Sequence, residues 1–265
     1  MCLITHELRL FLIACQFLTR VPIPRWVGFE PAWLHDSARY FPVVGLGVGV
    51  MAAALLALGH WLFSPWVAAV LSVVGTVYLT GAFHEDGWAD TCDGLGGVVS
   101  RERALHIMKD SRIGAYGAVG LVLMLSLKIA TLADLPLQWA LIVSVWSHCA
   151  SRWSAVTLLR FLPYAGDVEH AKAKPMAQSI TNTGWAMATA WMAGATLLGL
   201  WISPAAVWVW SVLVACNISL AWALGRWFLK RLGGITGDTL GATQQVCEVG
   251  SLLAALAIWR LGGVG

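Results

Sequence analysis

Seven long apolar runs separated by shorter polar segments dominate this sequence of 265 residues. Each run is close to the ~20 residues that cross the ~30 Å hydrocarbon core of a bilayer as an α-helix. Because 58% of the residues are hydrophobic and only 12% are charged, water is not the solvent for most of the surface. The sequence therefore predicts an all-α, polytopic membrane helical bundle with about seven transmembrane helices, in a single integral membrane domain over 1–265. The predicted spans are 41–63, 66–83, 115–133, 138–162, 184–202, 205–225 and 242–259.

The distribution of Lys and Arg predicts how the bundle is oriented. Fourteen of these 17 residues lie before the first span, at the end of the fourth span or in the connections after the second, fourth and sixth spans, whereas the alternate connections carry none. By the positive-inside tendency, the N-terminus and the long connections are expected on the cytoplasmic side. The apolar stretch 8–18 lacks a small-residue cleavage site, so we expect a retained N-terminal interfacial helix rather than a signal peptide. The fourteen residues are Arg9, Arg20, Arg25, Arg39, Arg101, Arg103, Lys109, Arg112, Arg160, Lys172, Lys174, Arg226, Lys230 and Arg231.

Three aspartates in the segment FHEDGWADTCDG are the clearest candidates for chemistry. On a helix, Asp86, Asp90 and Asp93 lie within about 60° of one another, while Glu85 points about 100° away. Like charges at this spacing call for a compensating cation, and carboxylate oxygens are ligands that Mg²⁺ prefers. The segment 84–114 is therefore predicted to be a cytoplasmic, acidic active-site loop. Acidic residues that only solvate a loop are the alternative interpretation.

A second polar region, GGITGDTLG at 233–241, runs directly into the last apolar span. Its glycines and hydroxyls, with Thr236, Gly237 and Thr239 as candidate substrate ligands, resemble a phosphate cradle at a helix N-terminus. Glycine also serves ordinary turns, so the motif is weak evidence by itself. The span that follows carries Glu248, an ionisable residue that is costly to place in a membrane and is a functional candidate for that reason.

Further ionisable side chains could contact a substrate. Lys109 and Arg112 flank Asp110 in KDSRIG and are expected to bind phosphate, although they could also line a positively charged loop. Arg152 lies within a predicted span, where it either contacts substrate or forms an interhelical ion pair. His84 either relays a proton, binds a substrate group or is a structural histidine.

Acids for metal, bases and glycines for phosphate, and an apolar surround together describe transfer involving a diphosphate substrate. A divalent-cation transporter would use Glu248 and Lys128 as ion or proton sites, but the acids cluster at one end of a span and the sequence has no internal repeat. Another membrane diphosphate-dependent transferase, such as a prenyltransferase, would be expected to carry two comparable Asp-rich motifs. The six cysteines are scattered without a CxxC pair, which argues against disulfides and a zinc site.

Five motifs, in this order, resemble those of the cobalamin synthase family, the adenosylcobinamide-GDP ribazoletransferases. The family's pattern of one histidine and three aspartates falls on this sequence, and Glu85 stands at a position that need not be acidic. The acidic pattern is also partly similar to that of CDP-alcohol phosphotransferases, which have an alanine where Asp90 stands here. The motifs are FLTRVPIP at 17–24, YFPVVGLGVG at 40–49, TGAFHEDGWADTCDG at 80–94, IMKDSRIGAYG at 107–117 and GGITGDTLGA at 233–242, and the pattern falls on His84, Asp86, Gly87, Asp90, Asp93 and Gly94.

This resemblance implies a Mg²⁺-dependent, multi-pass enzyme of the bacterial inner membrane whose active site faces the cytoplasm. It implies the joining of adenosylcobinamide-GDP to α-ribazole, or to its 5′-phosphate, which gives adenosylcobalamin, or its phosphate, and GMP. The expected partners are these small molecules and membrane lipid, and no nucleic acid is expected. A homo-oligomer or an association with enzymes of the same pathway is compatible with the resemblance.

The expected roles follow from the same resemblance. Mg²⁺ would be held by the three aspartates of the pattern, with Asp110 or Asp238 completing the set. Lys109, Arg112 and the 233–241 segment would bind the diphosphate. One of the aspartates, or the preceding histidine, would act as the general base. The residues expected to be catalytic are Asp86, Asp90, Asp93 and His84.

Overall fold

A computed structural model of the chain describes residues 3–28, 30–166, 177–203 and 207–262. Lys172 and Lys174, as well as the first two residues of the predicted span 205–225, lie outside these ranges. Within them, the backbone is almost entirely helical, and the β-type pairing is a single parallel bridge between Tyr164 and Ile235. The helices are α1 (Leu3–Leu18), α2 (Pro31–Ser37), α3 (Phe41–Leu62), α4 (Pro65–Thr80), α5 (Phe83–Leu95), α6 (Arg101–Ile107), α7 (Ala115–Asp134), α8 (Leu137–Phe161), α9 (Asn182–Ile202), α10 (Val207–Leu232) and α11 (Gly237–Arg260).

Among the described residues, four helical stretches are long and apolar enough to cross a membrane. They are Pro31–Leu62, which contains α2 and α3, together with α7, α9 and α10, and the bent pair of α4 and α5 would add a fifth. α8 and α11 have 25 and 24 residues, but both bury many polar side chains. The all-α membrane bundle is therefore confirmed, whereas the number of seven spans stays a prediction.

α8 is the central helix of the bundle, packing against α3, α9, α10 and α11. Its contact with α3 depends on small residues of the YFPVVGLGVG motif. A Cβ atom on Gly49 would lie 2.7 Å from the Cα atom of Val145, and one on Gly45 would clash with the carbonyl oxygen of His148. Glycine thus lets the two backbones approach closely, as is common between membrane helices.

A sharp bend follows the second predicted span. The axes of α4 and α5 differ by 91°, and the two residues between the helices, Gly81 and Ala82, have φ angles of +68° and +58°. The backbone N–H of Arg20 donates to the Leu79 carbonyl oxygen at 2.7 Å beside this bend. The FLTRVPIP and TGAFHEDG motifs therefore meet where the chain turns.

The segment 84–114, predicted to be an acidic active-site loop between two spans, is largely helical. It contains most of α5 and all of α6. α5 is helical because one of its faces is buried against α11 and α7, and α6 is capped by Ser100, whose hydroxyl accepts from the Arg103 N–H at 3.3 Å. The acidic residues thus stand on a rigid element.

Candidate active site

The two polar motifs of the sequence meet where α5 crosses α11. A Cβ atom on Gly87 would lie 2.9 Å from the carbonyl oxygen of Asp238, and one on Gly241 would lie 3.3 Å from the Cα atom of Gly87. Both contacts join backbone to backbone, so only glycine permits this approach. The acidic motif and the glycine-rich motif, separated by 138 residues in the chain, therefore form one region.

The carboxylates of α5 divide between two faces. Glu85 is buried, and its Oε1 atom accepts from Gln245 Nε2 on α11 at 3.1 Å. Asp86 is exposed, and Asp90 and Asp93 are half-buried. Glu85 thus contributes to the interior of the bundle, and the aspartates lie on the more accessible side.

Asp93 has a structural contact that its position in the acidic motif does not suggest. Its two carboxylate oxygens accept hydrogen bonds from the backbone N–H groups of Gly114 and Gly117, at 2.7 and 2.8 Å. These are free N–H groups of the first turn of α7, where a negative charge is favourable. Asp93 therefore fixes the N-terminus of α7 against α5.

Asp110 and Arg112 pair with each other at the surface. Arg112 Nη2 lies 2.7 Å from Asp110 Oδ2, and the hydrogen bonds from the Arg112 side chain and backbone lower the pKa of Asp110 to about 2. The same side-chain hydrogen bond raises the pKa of Arg112. Lys109 is exposed next to this pair. To complete a metal site, the Asp110 carboxylate would have to give up its contact with Arg112, or contact Arg112 and the metal ion at the same time.

The predicted phosphate cradle is the N-terminus of α11, and its threonine hydroxyls are already in use. Thr236 Oγ1 accepts from the Thr239 N–H at 3.3 Å, and Thr239 Oγ1 accepts from the Thr236 N–H at 2.8 Å. This reciprocal arrangement is a capping box. Gly237 lines an adjacent cavity, and Asp238 is half-buried in the first helical turn.

The carboxylates fit Mg²⁺ by their chemistry but do not form a ready-made cage. In the part of the chain that the structure describes, no group of three or more His, Cys, Asp or Glu side chains is arranged to hold a metal ion. Mg²⁺ is usually held by one or two carboxylates together with waters and phosphate oxygens of a substrate. Asp86 and Asp90, one helical turn apart on the accessible side, suit a site of that kind.

Four charged or ionisable side chains form a network inside the bundle. Lys128 of α7 forms an ion pair with Glu248 of α11, and His148 Nδ1 lies 2.9 Å from Glu248 Oε2. Arg152 Nη1 donates to the His148 carbonyl oxygen at 3.0 Å. All four side chains are at most 5% exposed. Sequence reasoning missed His148, although its spacing of four from Arg152 on a helix in an apolar run was a detectable signal.

Two glutamines connect this network to the acidic helix. Gln244 Nε2 donates to Glu248 Oε2, and Gln245 Nε2 donates to Gln244 Oε1 at 3.0 Å and also to Glu85. A continuous set of polar contacts therefore runs from α5 through α11 to α7 and α8. Such buried polar groups are stable only when they are paired.

A cavity of about 500 Å³, counted out to its open mouth, lies beside the α5–α11 crossing. Three phenylalanine side chains line it together with three polar side chains. His84, a predicted site residue, is among them, and so is Arg152. The six residues are Phe17, Phe41, Phe83, His84, Arg152 and Gln244.

Comparisons with known proteins agree on one family. The family model described as cobalamin-5-phosphate synthase matches residues 10–256. A protein of Leptothrix cholodnii named adenosylcobinamide-GDP ribazoletransferase is 54% identical over 98% of this chain and 99% of its own length. A protein of the same name from Polaromonas naphthalenivorans is 44% identical over 91% of this chain and 95% of its own length. Another from Shewanella piezotolerans is 43% identical over 96% of this chain and 96% of its own length. No solved structure is significantly similar to the chain. The full-length agreement, on a bundle that brings the family's motifs together, shows that this chain belongs to the cobalamin-5-phosphate synthase family.

Proposed function

We propose that this chain is an adenosylcobinamide-GDP ribazoletransferase that works with Mg²⁺ at the α5–α11 crossing. The observation that carries the proposal is the similarity of nearly the whole chain to enzymes of that name. The packing of Gly87 against Gly241, which unites the two polar motifs, supports the location. The cation transporter and the prenyltransferase have no comparable support.

The reaction is a phosphoryl transfer between two small molecules. A hydroxyl oxygen of α-ribazole, or of its 5′-phosphate, attacks the phosphorus atom that carries cobinamide. A new P–O bond forms, the P–O bond to GMP breaks, and the hydroxyl proton passes to a base. When bound, Mg²⁺ supplies electrostatic stabilisation of the negative charge on the phosphoryl oxygens.

We assign Asp86 and Asp90 as the carboxylates that hold Mg²⁺, with Asp238 close by on α11. The two are accessible or half-buried, whereas both oxygens of Asp93 already accept backbone hydrogen bonds. His84 lines the neighbouring cavity, so it is the candidate base together with the two aspartates of α5.

The basic residues after α5 complete the proposed site. Lys109 and Arg112 are exposed next to α6 and would contact the diphosphate of adenosylcobinamide-GDP. Arg101 and Arg103 lie in the same connection. This concentration of positive charge supports a cytoplasmic active site in the bacterial inner membrane.

The test is the release of GMP by purified protein in liposomes that is given adenosylcobinamide-GDP and α-ribazole, with and without Mg²⁺. We expect metal-dependent GMP and an equal amount of corrinoid product. Asp90→Asn should abolish this turnover in a folded protein. Asp134→Asn, which changes an aspartate at the far end of α7, is the matched control. Near-normal activity of Asp90→Asn would contradict the metal assignment.

A further inference from the structure

The cavity beside the α5–α11 crossing is lined by two chemically different groups of side chains. Counted out to its open mouth, its empty volume is about 500 Å³. Phe17, Phe41 and Phe83 form an aromatic group, and Phe17 stacks on Phe41 with ring centroids 5.6 Å apart. Arg152, together with His84, forms the polar group. Such a cavity suits a ligand with an apolar aromatic part and an anionic part.

Arg152 has a hydrogen-bond donor that the bundle does not satisfy. It is 2% exposed, and within the described residues its Nε atom is buried without a hydrogen-bond partner. Buried guanidinium donors are normally paired, because an unpaired polar group loses its hydration without compensation. Arg152 also lines the cavity, which points to a ligand there that supplies the acceptor.

The carboxylates nearest to Arg152 have other side chains as partners. Glu248 is held by Lys128 and by His148. Glu85 accepts from Gln245 through Oε1, and its Oε2 atom is buried without a hydrogen-bond partner among the described residues. The guanidinium group itself is held in place through the His148 carbonyl oxygen. A planar guanidinium with free donors binds phosphate oxygens particularly well.

We infer that this cavity binds the acceptor substrate, with its aromatic heterocycle against the phenylalanines and its phosphate group on Arg152. This inference rests on the proposed function and makes Arg152 a determinant of the choice between α-ribazole 5′-phosphate and α-ribazole. The guanine of the donor suits the cavity less well, because three phenylalanine rings would leave the hydrogen-bonding edge of guanine unpaired.

Replacing Arg152 tests the anion contact. For Arg152→Met we expect the KM for α-ribazole 5′-phosphate to rise ~10- to 100-fold, as for the loss of a charge-assisted hydrogen bond. The factor by which the KM for α-ribazole rises should be at least ten times smaller. Arg152→Lys keeps the positive charge but loses the planar guanidinium, so it should raise the KM for α-ribazole 5′-phosphate relative to that for α-ribazole by a smaller factor. This variant replaces Arg152→Met in the test if the Met variant does not fold. Arg160→Met, on the same helix outside the cavity, is the control and should not change the preference. Equal changes for the two acceptors would overturn the inference.

Filling the cavity tests its location without touching the charge. Ala155 lines the cavity on α8, and Ala155→Phe should raise the KM for both acceptors by a similar factor and leave the KM for adenosylcobinamide-GDP unchanged. A rise confined to adenosylcobinamide-GDP would place the donor there instead and overturn the inference. If the wild-type protein released no GMP with either acceptor, the proposed function itself would be wrong. If the wild-type protein released GMP and the Arg152 variants changed the KM for both acceptors equally, only the inference about the cavity would be wrong.

Discussion

Gly87 of α5 and Gly241 of α11 pack backbone to backbone, since a Cβ atom on Gly241 would lie 3.3 Å from the Cα atom of Gly87. This contact gives a physical reason for glycine at both positions, which lie in motifs far apart in the sequence. It holds the accessible aspartates of α5 beside the N-terminus of α11, where backbone N–H groups and carboxylates can act on the same substrate.

The first prediction concerns this crossing. A Cβ atom on Gly87 would lie 2.9 Å from the Asp238 carbonyl oxygen, and because that atom is backbone, the two helices must move apart. We expect Gly87→Ala to lower kcat at least ~10-fold, since small displacements of positioned groups cost much of their effect. It should also lower the thermal unfolding midpoint in detergent.

Gly47→Ala is the matched control for this prediction. Nothing lies within 4 Å of a Cβ atom on Gly47, and replacing a glycine in a helix interior stabilises by about 1 kcal/mol. The control should keep full activity with an equal or higher unfolding midpoint. If Gly87→Ala behaved like the control, the close crossing would not be required for activity.

A second prediction separates the aspartates of α5 by their roles. Asp93→Asn removes a negative charge and replaces one acceptor by an amide that faces the N–H groups of α7. We expect a loss of about 1–2 kcal/mol in unfolding free energy, as for other lost helix caps. Asp86→Asn changes an exposed side chain, so it should lower the Mg²⁺-dependent rate with an unchanged unfolding midpoint. An unchanged midpoint for Asp93→Asn, combined with a weaker response to Mg²⁺, would instead make Asp93 a metal ligand.

Much of this architecture could be predicted from the sequence, for identifiable reasons. Apolar runs of membrane-spanning length predict helices because the bilayer leaves few alternatives. The spacing of Asp86 and Asp90 places them on one face and Glu85 on another, because a helix has 3.6 residues per turn. The structure agrees, since Glu85 is buried and Asp86 is exposed.

The remaining features depend on partners that lie far apart in the chain. Glu85 meets Gln245 across 160 residues, and Asp93 meets Gly117 across 24. Periodicity within one helix carries no information about such pairs. For the same reason, the sequence pattern predicts Asp93 as a metal ligand without indicating that its oxygens accept from N–H groups at the start of α7, and it does not indicate that Glu248 contacts His148 on α8.

A third prediction concerns the ion pair inside the bundle. Glu248→Gln leaves the ammonium group of Lys128 buried without its carboxylate, and breaking a buried pair on one side typically costs about 3–5 kcal/mol. The double variant Glu248→Gln with Lys128→Met should recover part of this loss. The unfolding midpoint in detergent measures both effects.

Asp134→Asn is the control for this prediction, because it breaks an exposed pair with Arg260 and should cost less than about 1 kcal/mol. A Glu248→Gln variant as stable as this control would show that the buried pair is not needed for folding.

A fourth prediction follows from the low pKa of Asp110. Hydrogen bonds from Arg112 lower this pKa from 3.8 to about 2, so the folded state favours the ionised carboxylate. The resulting stabilisation is complete above the ordinary pKa and is lost as the pH falls toward 2. The stability difference between wild type and Arg112→Met should therefore be constant between pH 5 and pH 8 and shrink only below about pH 4. Unfolding midpoints across this range test it, and a difference that changed between pH 5 and pH 8 would contradict it.

The last prediction concerns the bend that points α5 toward the site. Ala82 has a φ angle of +58°, a left-handed conformation that costs a residue with a Cβ atom about 1–2 kcal/mol. Ala82→Gly removes this cost, and the greater freedom of glycine in the unfolded chain offsets part of the gain, so the unfolding midpoint should rise slightly.

The opposite substitution at the neighbouring residue tests the same bend. Gly81→Ala introduces the same cost at a φ angle of +68° and places a Cβ atom 2.8 Å from Arg20 Nε. Because the Arg20 side chain can move, most of the loss of about 1–2 kcal/mol should come from the backbone. The additional change Arg20→Ala should therefore restore little of the midpoint, and full restoration would show that the contact with Arg20, rather than the φ angle, makes glycine necessary at this turn.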